Sequence, residues 1–99
     1  MIMVSYILVV SPVARQDLQK LFQYGCLNWG SMRARQYIAR FKTGLLRLHQ
    51  SPHIGIKRDD LLKDLCVLPV EKHYIFYQLV ENKIEIIRIL HARLDPQRA

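Results

Sequence analysis

The chain has 99 residues, 51% hydrophobic and 23% charged, a size that holds one domain with a modest core because domains commonly run to roughly 100 to 150 residues. Lys and Arg number 15 against 8 Asp and Glu, a formal net charge of +7, which draws acidic partners and speeds encounter without naming them as nucleic acid, anionic membrane or protein. The 2 cysteines lack metal-ligand spacing, and no apolar run reaches the roughly 18 residues of a membrane span, which excludes a zinc-stapled fold and an integral membrane protein.

Residues 1–10 are apolar but lack a positive leading region and run into Ser11-Pro12, so they do not read as a signal peptide, and a cytoplasmic location is expected. Residues 4–10, rich in β-branched and aromatic side chains and followed by that proline, predict a strand largely covered on both faces. Ser11 is placed to cap a helix whose first position is Pro12, where a missing N–H is harmless. Ala14, Leu18, Leu21, Phe22 and Gly25 then recur at three- and four-residue intervals, laying an apolar stripe along that helix. Asn28-Trp29-Gly30-Ser31 breaks it, with Gly30 able to take positive φ and Ser31 able to cap a second helix.

That second helix is expected to reach about residue 50, its stripe formed by Ala34, Tyr37, Ile38, Phe41, Leu45 and Leu48. Arg33, Arg35, Arg40, Lys42 and Arg47 occupy much of the remaining circumference. Two amphipathic helices with a short break predict an antiparallel hairpin whose stripes share one core. Ser51-Pro52-His53-Ile54-Gly55 stops the second helix, and the polar residues 57–64 read as a loop or short helical turn. Three strands come after it, Cys66–Val70, His73–Val80 and residues 84–91, joined closely enough for an antiparallel meander, with Glu81-Asn82-Lys83 as the last turn. Residues 95–99 read as a loosely held tail. The fold class is therefore α+β in the order βααβββ, a helical hairpin on a mainly antiparallel sheet, with residues 1–99 as one domain.

Little in the sequence points to catalysis or to a cofactor. His49 and His53 have the spacing of a helical zinc pair, but Pro52 breaks the helix between them and the intervening glutamate is missing, so no metal site is assigned. Cys26 and Cys66 sit among apolar neighbours and read as inert core thiols. Tyr74 and Tyr77 read as packing residues on opposite faces of a strand, and Trp29 as helix-end packing or an exposed recognition aromatic. The candidate site is cationic: Arg58, Lys72, His73, Arg88, His91 and Arg93. Such a cluster could stabilise charge on a phosphate with His carrying the proton, or it could dock an acidic surface. If Arg88 is only the outward member between Ile87 and Ile89, the cluster does not converge.

Several pieces taken in order resemble the ParE-type toxins of the ParE/RelE toxin-antitoxin superfamily. They are Ser11-Pro12 with Ala14 and Asp17-Leu18; Leu48 with Ser51-Pro52 and Gly55; Tyr74-Ile75-Phe76-Tyr77; and Ile86-Ile87-Arg88-Ile89-Leu90-His91 followed by Arg93 and Asp95. The resemblance implies the same βααβββ order and a small cytoplasmic toxin neutralised by a cognate antitoxin. Its ParE branch blocks DNA gyrase by binding, without catalysis, whereas RelE relatives cleave mRNA on the ribosome with basic residues and a C-terminal aromatic or histidine. Here His91 and Arg93 stand near that end, but no tyrosine follows Tyr77, which weakens the ribonuclease carry-over, and Gln78 replaces the arginine of many relatives, a lost cation that argues against a phosphate-facing role for that strand.

The expectation is thus a non-catalytic DNA gyrase inhibitor with Arg58, His73, Arg88, His91 and Arg93 toward the target and Leu18, Phe22, Tyr37 and Phe41 forming an antitoxin groove. The alternative is a RelE-like ribosome-dependent mRNA endoribonuclease using Arg58, His91 and Arg93. A basic nucleic-acid-binding module is the third class, and it lacks a recognition motif.

Overall fold

In the computed structural model, which describes residues 5–95, the chain runs β1 (Ile7–Val10), α1 (Pro12–Trp29), α2 (Ser31–Gln50), β2 (Ile56–Lys57), β3 (Cys66–Val70), β4 (His73–Val80) and β5 (Lys83–His91), closed by a 3-10 turn over Ala92–Leu94. Ser11 starts α1 as its position requires: Oγ accepts the Ala14 N–H at 3.0 Å and donates to the Ile87 carbonyl at 2.9 Å. One hydroxyl therefore caps the helix and ties its origin to β5. Gly30, at φ 89, ends α1 and also precedes α2 as its N-cap. Ser31 is consequently the first residue inside α2 and not its cap, because the extended, positive-φ backbone that turns the hairpin falls one residue earlier.

The five strands lie in the order β1-β5-β4-β3-β2. β5 pairs antiparallel with β4, β4 with β3, and β3 with β2, whereas β1 joins β5 in parallel from Ile7↔Lys83 to Val10↔Ile86. The helical hairpin is the crossover that parallel pairing requires. Its position corrects the expectation that the first strand is covered on both faces. β1 is an edge strand with helices over one side only, so Leu8 and Val10 pack inward while Ile7 and Val9 remain 52% and 39% exposed. Residue 4, expected in that strand, lies outside the described residues.

β2 is an addition to the expected order: Ile56 and Lys57 pair with Val67 and Cys66, and the rest of the stretch to residue 64 is turn. The tail also differs. Asp95 is buried and bonded to Arg58, so the chain is held at least that far; residues 96–99 lie outside the described residues.

The main core forms where the two stripes meet one sheet face. Ala14, Phe41 and Leu48 pack there against Leu68, Val70, Ile75, Tyr77, Ile84, Ile86 and Ile89. Strand alternation sends the intervening residues to the other face, where Leu65, Val67 and Phe76 form a smaller cluster with Tyr74, Ile87 and Leu90. Among the described residues no helix is long and apolar enough to cross a membrane.

Candidate functional site

Where the hairpin overhangs the β3–β4 turn and the end of β5, an open cleft of about 730 Å³ separates the layers. Its wall is a relay of rings meeting edge to face. Trp29 lies 5.4 Å from Tyr37, Tyr37 5.6 Å from His73, and His73 5.0 Å from His91. The last contact comes from register, since His73 and His91 are cross-strand partners. Tyr37 Oη lies 2.9 Å from His73 Nδ1 and 3.4 Å from the Lys72 N–H. The consistent arrangement has the phenol accepting from Lys72 and donating to His73, which leaves the imidazole proton on Nε2.

Burial, with a smaller contribution from His91, lowers the His73 pKa from 6.5 to about 4. An unfolded His73 takes up its proton as pH falls through 6.5, whereas the folded one holds out until about 4, so stability is lost across that window as pH falls. Urea unfolding at about pH 7 and about pH 5 should show the wild type weaker at the lower pH and His73→Gln less affected. Equal pH sensitivity of the two proteins would show that His73 is not responsible.

The cations divide into two groups. Lys72 and Arg93 reach the cleft beside His73 and His91, joined by Arg33 from α2, and these three are exposed. The His91 ring is held in place because Nδ1 accepts the Arg93 N–H at 3.1 Å. Arg40, also in the cleft, pairs with Glu71 at 2.7 Å in a solvent-exposed bridge that adds little stability.

Arg58 and Arg88 do not join them. The Arg58 guanidinium is forked between Asp60, at 2.9 and 2.8 Å, and Asp95, at 2.8 Å through Nη2, and both carboxylates raise its pKa, Asp60 most. Arg88 is bidentate to Asp17 at 2.9 and 3.0 Å, and Asp17 also accepts the Ile89 N–H at 2.9 Å. Burial works against the ionised Asp17. The bonds from Arg88 and Ile89, with the charges of Arg88 and Lys20, outweigh it and hold the carboxyl below its usual range. Both arginines thus fasten one part of the fold to another.

Of the four residues expected to form an antitoxin groove, Leu18, Phe22 and Tyr37 are half-buried, but Phe41 is 0% exposed. Phe41 sits behind Tyr37 and His73, 5.5 and 5.6 Å away, and presents no surface. Trp29 is 38% exposed, packing against the hairpin end and lining the cleft together. Tyr24 and Arg33 also line it, and neither stands out in the sequence because only the hairpin geometry brings them over β4 and β5.

Cys26 and Cys66 are free and half-buried, short of the full core burial expected, and burial raises the Cys66 thiol pKa, which disfavours its thiolate. Among the described residues no group of three or more His, Cys, Asp and Glu could hold a metal ion. The cleft therefore offers cationic hydrogen-bond donors over an aromatic floor, a surface suited to an acidic partner.

The family model described as the ParE toxin of the type II toxin-antitoxin system parDE matches residues 8–96. Toxin ParE1 of Mycobacterium tuberculosis (strain CDC 1551 / Oshkosh) is 29% identical over 91 residues, 91% of this chain and 93% of that protein. Toxin ParE1 of Caulobacter vibrioides is 26% identical over 86 residues, 87% and 88% of the two chains. A chain from the chromosomal ParDE toxin-antitoxin system of P. aeruginosa superposes with a TM-score of 0.80 at 18% identity, covering 90% of this chain and 98% of that one. A chain of the RelBE2 toxin-antitoxin complex of Mycobacterium tuberculosis does so with a TM-score of 0.65 at 19% identity, covering 89% and 99%. These two structural likenesses bear on the fold alone.

Proposed function

Because the chain belongs to the ParE toxin family of type II toxin-antitoxin systems, we propose that it arrests DNA gyrase in the cytoplasm by binding through the cationic cleft, without bond chemistry. The observation that carries this reading is the pairing of exposed Lys72 and Arg93 with a His73 whose pKa of about 4 makes it a weak base near neutrality. A general base is most effective with a pKa near the working pH, whereas cations at the ends of paired strands need only a complementary surface. The target-facing set is then Lys72, His73, His91 and Arg93, while Arg58 and Arg88 support the sheet that presents them.

Purified protein in excess over gyrase should suppress supercoiling, and Lys72→Ala/Arg93→Ala should need about tenfold more protein for the same effect. Supercoiling that proceeds unchanged under excess wild-type protein would sink the reading. The second reading, a ribosome-dependent mRNA endoribonuclease, draws on the convergence of His73, His91 and Arg93 in one cleft. Cleavage of ribosome-bound mRNA, lost on changing His91 and Arg93 to Ala, would replace the first reading with this one.

A toxin of this class has a cognate antitoxin. The half-buried Leu18, Phe22 and Tyr37 suit contact with an amphipathic partner helix, which reads such spaced side chains as anchors. Leu18→Ala and Phe22→Ala binding the antitoxin as tightly as wild type would remove those two from that surface.

A further inference from the structure

We infer that the outer face of α2 is a binding surface for duplex DNA, held mainly through its phosphates. This goes beyond the gyrase reading and does not depend on it. The 20 residues of α2 include Arg33, Arg35, Arg40, Lys42 and Arg47 and no Asp or Glu. All five are exposed, and the one ion pair they make among the described residues is the surface bridge from Arg40 to Glu71. Helix stability does not account for them. With no carboxylate in α2, none forms the ion pair at four-residue spacing that supports a helix from within. Arg47, in the last turn, suits the helix dipole, but Arg33 stands at the positive end, where a cation is unfavourable.

The spacing gives this face its shape. Arg33, Arg40 and Arg47 recur every seven residues, about 10 Å of helix, along one flank, and Arg35 and Lys42 do the same along the other. Between the rows runs an uncharged, exposed crest of Gln36, Ala39 and Thr43. A helix with its side chains is about 10 to 12 Å across, close to the major groove of B-DNA at about 12 Å. With the crest toward the groove, each flank meets one phosphate wall. One amide and one hydroxyl in the middle of the crest give little base readout, so backbone contacts dominate.

Two features favour duplex DNA over other anionic partners. No aromatic ring is exposed on α2, where Tyr37 is half-buried and Phe41 fully covered, whereas single strands and RNA loops are held by stacking on such rings. An anionic bilayer calls for a continuous apolar stripe beside the cations. Here the exposed Met32 and Leu46 stand toward opposite ends of the crest, with Gln36, Ala39 and Thr43 between them.

The experiment measures binding of the isolated full chain to duplexes of about 20 base pairs in two unrelated sequences, by fluorescence anisotropy across a salt series, with no gyrase present. Arg35→Ala/Lys42→Ala/Arg47→Ala removes charge from both flanks, leaves Arg33 and Arg40 at the border of the cleft, and keeps the helix because alanine is its best former. Lys57→Ala/Lys63→Ala/Lys83→Ala removes the same charge from exposed positions outside α2. The wild type should bind both sequences alike. At about 0.1 M salt the α2 variant should bind at least about tenfold more weakly, with a slope of log K against log salt shallower by about 2 to 3, while the control stays within about threefold of wild type. Thermal unfolding of each variant verifies that it is folded. Wild-type binding that is absent or insensitive to salt overturns the inference, as does equal weakening in the α2 variant and the control. Loss of the duplex in Lys72→Ala/Arg93→Ala but not in the α2 variant would move the site to the cleft and overturn it too. So would tighter binding of single-stranded RNA, or of phosphatidylglycerol vesicles, through the same α2 residues, since the face would then belong to that partner. Because gyrase is absent from the assay, these outcomes stand whether or not the gyrase reading holds.

Discussion

Asp95→Ala is expected to destabilise the chain by about 2 to 3 kcal/mol, between an exposed pair and a fully buried one. The Arg58 side chain is 12% exposed and that of Asp95 4%, so truncating Asp95 leaves a largely buried guanidinium with Asp60 as its remaining carboxylate. Asp60 is more exposed and cannot follow the charge inward, which keeps the cost well above that of a surface bridge. The bond also spans 37 residues, joining the loop before β3 to the turn after β5, so its loss loosens two segments together. Replacing both partners by apolar residues, Arg58→Met/Asp95→Leu, should recover most of the loss because the one carboxylate then left without Arg58 is that of Asp60, which is solvent-accessible. Urea unfolding of the three proteins tests this. An Asp95→Ala variant within about 0.5 kcal/mol of wild type would mean that Asp60 alone satisfies Arg58.

That contact also shows where the sequence was legible and where it was not. The helices could be read because each signal is local: a serine followed by proline, apolar residues every three or four positions, and a glycine at the break. β4 and β5 were equally plain, and their register carries His73 to His91, so half of the cleft was implicit in two well-defined strands. Arg58 and Arg88 look the same as Lys72 and Arg93 in the sequence. Arg58 has Asp60 two residues on, but its buried partner Asp95 stands 37 residues away and Asp17, the partner of Arg88, 71 residues away, so only the closed fold brings those two beside them. β1 hid its position for a related reason, since a parallel edge pairing leaves no turn to mark it. β2, at two residues, is too short to alternate. Phe41 and Tyr37 share one stripe, yet the first is fully covered and the second opens onto the cleft.

Gly55→Ala should be the more damaging of two changes at the joint between α2 and β2. Tyr77 is fully buried, and its hydroxyl donates to the Pro52 carbonyl at 2.9 Å while accepting the Gly55 N–H at 2.8 Å. A Cβ on residue 55 would stand 2.2 Å from that oxygen and 2.7 Å from two ring carbons, and the ring is locked in the main core. The backbone would have to move, which breaks the bond to Tyr77 and pulls on the short β2 pairing as well. Overpacking with loss of a buried hydrogen bond should cost about 3 to 4 kcal/mol. Tyr77→Phe keeps the ring but leaves the Pro52 carbonyl and the Gly55 N–H without their partner, for about 2 kcal/mol. The two effects should not add. Removing the hydroxyl clears the nearest obstacle to the new methyl, so Gly55→Ala/Tyr77→Phe should cost less than the sum of the single changes, by about 1 kcal/mol. Urea midpoints of the two single variants and the double variant measure that coupling. Strict additivity would mean that the alanine is accommodated by a movement away from Tyr77, and the hydroxyl would then not be what requires glycine at residue 55.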